Sequence, residues 1–414
     1  MSEETLKARA LRYHASPTPG KLSIQVTKST DSQDDLSLAY TPGVAEPVIA
    51  IEKSPEDAYL YTAKGNLIAV MTNGTAVLGL GNVGALASKP VMEGKAVLFK
   101  QFADIDVFDI EVDAIDPQAF ITAAKSIAPT FGGINLEDIK APECFDIEQS
   151  LIEQLNIPVF HDDQHGTAIV VAAGLLNALE LQGKSLNEAK IVCIGAGAAG
   201  IASMRLLVAL GADKAKMRLL DSKGVVHAAR EDLNSYKFAF ATTSDERTLE
   251  EALVDADVFI GVAKPNLLTP ELLRLMAPKA ILFALSNPNP EIRPELAATV
   301  RDDLILATGR SDYPNQVNNV LCFPYIFRGA LDARATCINQ SMQIAAVEAI
   351  RQLVHEPPPE VVKCNYPGVQ DWDFGPNYIL PKPIDPRLKN TVSKAVYQAA
   401  IESGVSSLEN TEEL

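Results

Sequence analysis

Residues 190–221 read KIVCIGAGAAGIASMRLLVALGADKAKMRLLD: a β-type run, a glycine fingerprint, a helix-length apolar segment, and a second β-type run ending in an acid. Strands joined through a helix lie parallel, with the helix crossing one face of the sheet. Further β-type runs, DVFIGVA, AILFALS and LILATG, follow at helix-sized intervals, so residues from about 161 to 310 are expected to form a doubly wound parallel sheet. Gly195, Ala196, Gly197, Ala198, Ala199 and Gly200 then fall at the first strand-to-helix turn, where glycines let the backbone approach a pyrophosphate held on the helix N-terminus. Asp221 closes the next strand, 26 residues after Gly195. A bare acid there favours the ribose 2′-hydroxyl of NAD, whereas the adjacent Ser222 and Lys223 favour the 2′-phosphate of NADP. NADP is the preferred reading and NAD the alternative.

A second GxGxxG, at Gly79, Gly81 and Gly84, has a weaker context. The segment after it, ALASKPVMEGK, is interrupted by proline and reads as too short for a crossover helix. This copy is expected to be a glycine-rich connection, with a role lining the active site as the alternative, and a strand, KAVLFK, is expected to begin at Lys95. The runs NLIAVMT and DIDVFDIEV are also strand-like, so residues 1–160 form an N-terminal α/β unit, 161–320 the Rossmann-type unit, and 321–414 a helical C-terminal segment packing back on the body.

The formal net charge of −17 argues against a nucleic-acid groove. No apolar run reaches the ~18 residues that a membrane helix needs, and the N-terminus lacks a secretory apolar region. The 5 cysteines contain no CxxC pair and read as reduced, mostly buried thiols, which suits a cytoplasmic protein.

PVFHDDQHGTA, residues 158–168, places His161 and His165 four apart around Asp162 and Asp163. A zinc site of the HExxH type needs both imidazoles on one face of a continuous helix. Here an extended run ends at the first histidine and a helical pattern opens after Gly166, so that geometry is not expected. Glu137 and Asp138, in FGGINLEDIK, form a second acidic pair. With Asp163 they offer three oxygen ligands, which suits Mg²⁺ or Mn²⁺ better than zinc.

YTPGVAEP, NGTAVLGLGNVGALASKPVMEGKAVLFK, FGGINLEDIKAPECF, PVFHDDQHGTA, GAGAAG, SNPNP and TGRSDYPNQVNNVLCFP together resemble the malic enzymes, specifically the bacterial NADP-dependent type. The resemblance runs through YILPKPIDPRL and covers essentially the whole chain. It implies oxidative decarboxylation of (S)-malate to pyruvate and CO₂ with NADP⁺ and a divalent metal. It also implies Tyr40 as general acid, Lys95 as general base and Asp162 as the residue orienting or sharing the lysine's proton. Glu137, Asp138 and Asp163 would hold the metal. Asn287, Asn318 and Asn319 would meet malate together with Lys95, and Asn287 and Thr75 would meet the cofactor. Neither histidine is a ligand in the family. Lys95 must be neutral to act as a base, and desolvation together with a nearby cation is expected to depress its pKa. The family forms dimers or larger assemblies, so at least a homodimer is expected.

Three features depart from the family. Ala76 stands where larger members carry an arginine for carboxyl groups, leaving backbone N–H groups around Thr75-Ala76 as the expected substitute. Tyr325 replaces a commoner glycine, and its bulk is expected to alter packing near Asn319. Many bacterial members carry a phosphotransacetylase-like C-terminal region, so a sequence ending at residue 414 is expected to be either a single-module member or part of a longer chain. The alternatives are an NAD-preferring malic enzyme, a related metal-dependent hydroxy-acid dehydrogenase, or a catalytically silent nucleotide-binding regulator.

Overall fold

The computed structural model describes residues 5–77, 79–369 and 371–408. Two sheets form its frame. The first comprises β1 (Leu67–Thr72), β2 (Asp106–Glu111), β3 (Gly133–Leu136) and β4 (Val159–His161), parallel throughout in the order β2-β1-β3-β4. Every residue of β1 is buried, as expected for a strand covered on both faces. The second sheet comprises β5 (Ile191–Ile194), β6 (Met217–Asp221), β7 (Gly224–Val225), β8 (Val258–Gly261), β9 (Ile281–Ala284) and β10 (Ile305–Thr308). Its order is β10-β9-β8-β5-β6-β7, with only β7 antiparallel. Order therefore reverses between β5 and β8, which makes the carboxyl end of β5 the switch point where such sheets take ligands. Ile191 and Cys193 face one apolar cluster and Val192 and Ile194 another, so both faces of this sheet are covered.

The helix Asp162–Gln182 joins the two units. It is buried on most of its circumference, and its body packs on the fingerprint helix Ala198–Ala209. Its start lies directly after β4, so the two ends of one rigid element serve different sheets. The helices Phe323–Asp332, Gln340–Gln352 and Arg387–Glu402 pack on one another. The first also meets the helix Ala85–Ala103, and the second meets Asp162–Gln182. Tyr325 is buried within this core, on the first of these helices.

One expected element is different. ALASKPVMEGKAVLFKQFA is a single helix, Ala85–Ala103, with Pro90 inside it, and Lys95 lies near its middle rather than at the start of a strand. Its buried residues, Ala85, Ser88, Met92, Ala96, Phe99 and Ala103, recur every three or four positions. That period defines one face of a helix. The proline interrupts one backbone hydrogen bond while the rest of the apolar face stays against the core. The Gly79–Gly84 segment is a turn-rich connection between β1 and this helix.

Candidate active site

The acids of interest lie at the carboxyl ends of adjacent parallel strands. Glu137 and Asp138 follow β3, and Asp162 and Asp163 follow β4 as the first turn of the long helix. An acidic first turn is favoured by the helix dipole. Gly166 makes room there, because a Cβ at this position would lie 1.9 Å from Asp162 Oδ1.

Lys95 Nζ lies 2.7 Å from Asp162 Oδ2 and 2.9 Å from Glu137 Oε1, with the Phe323 ring centroid 4.1 Å away. Asn319 donates to Asp162 Oδ2 at 3.1 Å and accepts from the Thr167 hydroxyl at 3.1 Å. Asp163 accepts from the Asp138 backbone N–H at 2.8 Å, and Glu137 accepts from Asn135 Nδ2 at 2.9 Å. The structure thus brings Lys95, Glu137, Asp138, Asp162, Asp163 and Asn319 into one cluster.

The electrostatics of these carboxylates suit a cation. One ligand oxygen from each of Glu137, Asp138 and Asp163 lies within 4.8 Å of the others. Asp138 Oδ2 is buried and has no hydrogen-bond partner among the described residues. Burial, and then the neighbouring Asp163, push the Asp138 carboxyl up to about 7, and burial pushes Glu137 well above the usual carboxylate range. Two buried acids held protonated in this way, beside the half-exposed Asp163, fit a hard divalent ion, which would supply the missing positive charge. For Lys95 the expected direction is reversed. Desolvation alone would lower its pKa, but Asp162 and Glu137 outweigh it and hold the ammonium above its ordinary range.

The histidines separate. His165 reaches 3.0 Å to the buried Glu148 carboxylate, which also accepts from Gln164 and from the His161 backbone N–H. His161 is fully buried with its Nδ1 3.8 Å from Asp163 Oδ2, and neither histidine belongs to the group of three acids found together among the described residues. Glu148 was not anticipated. Its signal is an acid on the apolar face of Glu143–Gln154, one turn from Cys144 and Leu151.

Thr75 and Ala76 border this cluster, and Asn318 adjoins Asn319 within it. The Ala76 N–H donates to the Asp138 carbonyl at 2.9 Å, so it is not free for a substrate carboxylate. Thr75 is buried, donates to Asn73 and accepts from the Lys140 N–H, which places it against the acidic loop. Asn287 follows β9, and Asn318 caps a short 3₁₀ turn beyond β10. Tyr40 is 75% exposed at the end of the helix Gln33–Ala39, and its hydroxyl enters no hydrogen bond among the described residues.

At the nucleotide fingerprint, Gly195–Ala199 turn from β5 into the helix, and Gly200 sits where a Cβ would meet the Gly195 carbonyl oxygen at 2.0 Å. Asp221 does not present a bare carboxylate. Arg230 grips it with two bonds of 2.8 and 2.9 Å, and Lys237 adds one of 2.7 Å. Asp232 takes Arg230 on its other side and also accepts from Lys223. Three cations thus face two carboxylates. Sequence reading missed Arg230 and Lys237 because nothing local marks a lysine 16 positions downstream as a neighbour of Asp221.

Residues 19–152 match the family model described as "Malic enzyme, N-terminal domain", and residues 164–372 match "Malic enzyme, NAD binding domain". The chain is 62% identical to the NADP-dependent malic enzyme of Halomonas elongata, over 96% of this chain and 94% of that one. It is 56% identical to the NAD-dependent malic enzyme of Rhizobium meliloti, over 96% of this chain and 52% of that one. It therefore spans about half the length of several curated relatives. The crystal structure of malic enzyme from Pyrococcus horikoshii superposes with a TM-score of 0.90 at 44% identity, covering 98% of this chain and 93% of that one.

Proposed function

The chain belongs to the malic enzyme family, and from that premise we propose that it converts (S)-malate and NADP⁺ to pyruvate, CO₂ and NADPH with Mg²⁺ or Mn²⁺. The observation carrying this reading is the buried Lys95–Asp162 pair beside three carboxylates at the carboxyl ends of β3 and β4. Neutral Lys95 takes the proton of the malate C2 hydroxyl, and Asp162 holds the amine in place as its charge changes. A bound dinucleotide would supply the acceptor for the C2 hydride. Glu137, Asp138 and Asp163 would hold the divalent metal, which would supply the Lewis acidity that favours loss of CO₂ from the resulting 2-oxo acid. Phe323 shields the lysine from water on one side. Tyr40 then gives a proton to C3 of enolpyruvate and completes pyruvate.

The cofactor reading rests on Lys223, Arg230 and Lys237. With Asp221 already bound by two of them, the cations suit a 2′-phosphate better than a 2′-hydroxyl.

We also assign a homodimer at least, in the cytoplasm. The helices Leu6–Ala15, Gln33–Ala39 and Ala45–Lys53 bury no residue, while Leu38, Tyr40 and Val48 are exposed along them. An apolar arm of this kind calls for a covering surface, and a second copy supplies one. Tyr40, carried on that arm, then serves an active site that the second copy completes.

Absorbance at 340 nm with malate and Mn²⁺ tests the reading directly. Malate-dependent reduction is expected, with kcat/KM higher for NADP⁺ than for NAD⁺. Arg230→Gln with Lys237→Gln should reduce kcat/KM for NADP⁺ while sparing NAD⁺. No reduction of either cofactor would remove the proposed activity, and a variant equally impaired with both would remove the 2′-phosphate assignment.

A further inference from the structure

Asn318 and Asn319 are brought to the site by the loop that follows β10. It is pinned at two consecutive residues, through the Pro314 backbone carbonyl and the Asn315 side-chain amide, by a segment more than 60 positions later. Asn315 is buried, and its amide donates to the Leu306 carbonyl at 3.1 Å and the Pro376 carbonyl at 2.7 Å. Its carbonyl oxygen accepts from the Ile379 N–H at 3.2 Å. Lys382 Nζ donates to the Pro314 carbonyl at 2.5 Å. The segment is itself tied to the long helix, because Asn177 Nδ2 donates to the Ile379 carbonyl at 2.9 Å. That helix carries Asp162 at its start, and Asn319 bonds to Asp162. The loop, the late segment and the helix therefore close a triangle around the site.

Lys382 is the unusual member. It is only 5% exposed and forms no ion pair among the described residues, with the Tyr366 ring centroid 5.4 Å from its amine. Burial pushes the ammonium down to about 8. A buried cation without a counter-charge is costly, and an apolar side chain of the same length would fill the space at lower cost. The residue is explained by what its amine holds. We propose that Lys382 is a positioning residue, fixing the 314–319 loop through the Pro314 carbonyl so that Asn318 and Asn319 meet the substrate. The segment lies beyond residue 372, where the match to the family's nucleotide-binding domain ends. The proposal rests on the malate reading above.

Lys382→Met keeps length and apolar stem while removing the donor. Melting temperature should hold or rise, because the unpaired buried charge is gone. kcat/KM for malate should fall on the order of 10-fold, with KM for the dinucleotide changed less than about twofold, as expected of a small misplacement near the substrate. Lys382→Gln, which retains an N–H donor on a shorter stem, should fall between the two chains. A Met variant with kcat/KM for malate within about twofold of the parent overturns the proposal, as does equal damage to both substrates. So does failure of both variants to fold, since Lys382 would then act through stability alone. A parent chain inactive with malate would instead overturn the functional reading and not this one.

Discussion

Lys95 touches two carboxylates, and this contact separates its two possible duties. As a base it must shed its proton, yet Asp162 and Glu137 hold that proton in place. The divalent ion proposed for Glu137, Asp138 and Asp163 relieves one of these two charges. Lys95→Ala is therefore expected to lower malate turnover by about 10²–10⁴-fold, the usual contribution of general acid–base catalysis, while dinucleotide binding measured by fluorescence is unchanged. Retention of more than about a tenth of the turnover would remove Lys95 from the role. Gly166 gives a second prediction. The Cβ of Gly166→Ala would overlap Asp162 Oδ1 and displace the carboxylate that orients the lysine, so kcat should fall roughly 10²-fold with little change in the cofactor's KM. An Ala variant of full activity would show that the helix start shifts to accommodate it. The acids were legible in the sequence as pairs, and the resemblance named their roles. Their burial was not legible, because adjacent acids in a loop are ordinarily solvated. Nor was the direction of the Lys95 shift, which depends on two charges 42 and 67 positions away.

Elements were readable where their period was clean. All strands of the second sheet except the two-residue β7 appear in the sequence as apolar runs spaced by helices. The helix Ala85–Ala103 was misread because KAVLFK alone satisfies a strand pattern, and only the longer window containing Ser88, Met92, Ala96 and Phe99 exposes the helical period. Cross-element ties leave no local trace at all. Glu246 is such a tie, joining Arg218 on β6 to Lys190 just before β5 and accepting from Ser244. Burial would raise its carboxyl, but the bonds from Arg218, Lys190 and Ser244 outweigh it and hold the group down at about 2. A depressed acid stabilises the fold above its unfolded pKa of about 4.5 and loses that contribution as pH falls through about 2. Glu246→Gln should therefore cost about 1–3 kcal/mol in urea denaturation at pH 7, with the gap to the parent narrowing below pH 4.5. A gap independent of pH would mean that the glutamate acts by shape and not by charge.

At the scale of the whole molecule, the N-terminal arm and the body make different demands. The body buries its sheets except along the edge strand β2, whereas the arm leaves its apolar side chains and Tyr40 uncovered. If a second copy receives the arm, each active site draws Tyr40 from one protomer and Lys95 from the other. Refolding a mixture of Tyr40→Phe and Lys95→Ala chains should then restore activity that neither parent shows alone, because some mixed dimers contain one intact site. An additive mixture would place both residues on one protomer. A partner was legible only through the family resemblance, since a helix with two exposed leucines reads the same with or without a neighbour. The long helix Asp162–Gln182 has a different consequence, one of inheritance. Its first turn belongs to the acidic cluster while its body supports the nucleotide sheet. A genetic crossover at residue 160 would hand Asp162 and Asp163 to whichever relative donated the second half, leaving Glu137 and Lys95 facing acids shaped in another lineage. Shuffled descendants would keep a matched set of acids more readily when the seam falls beyond Gly183, where that helix ends.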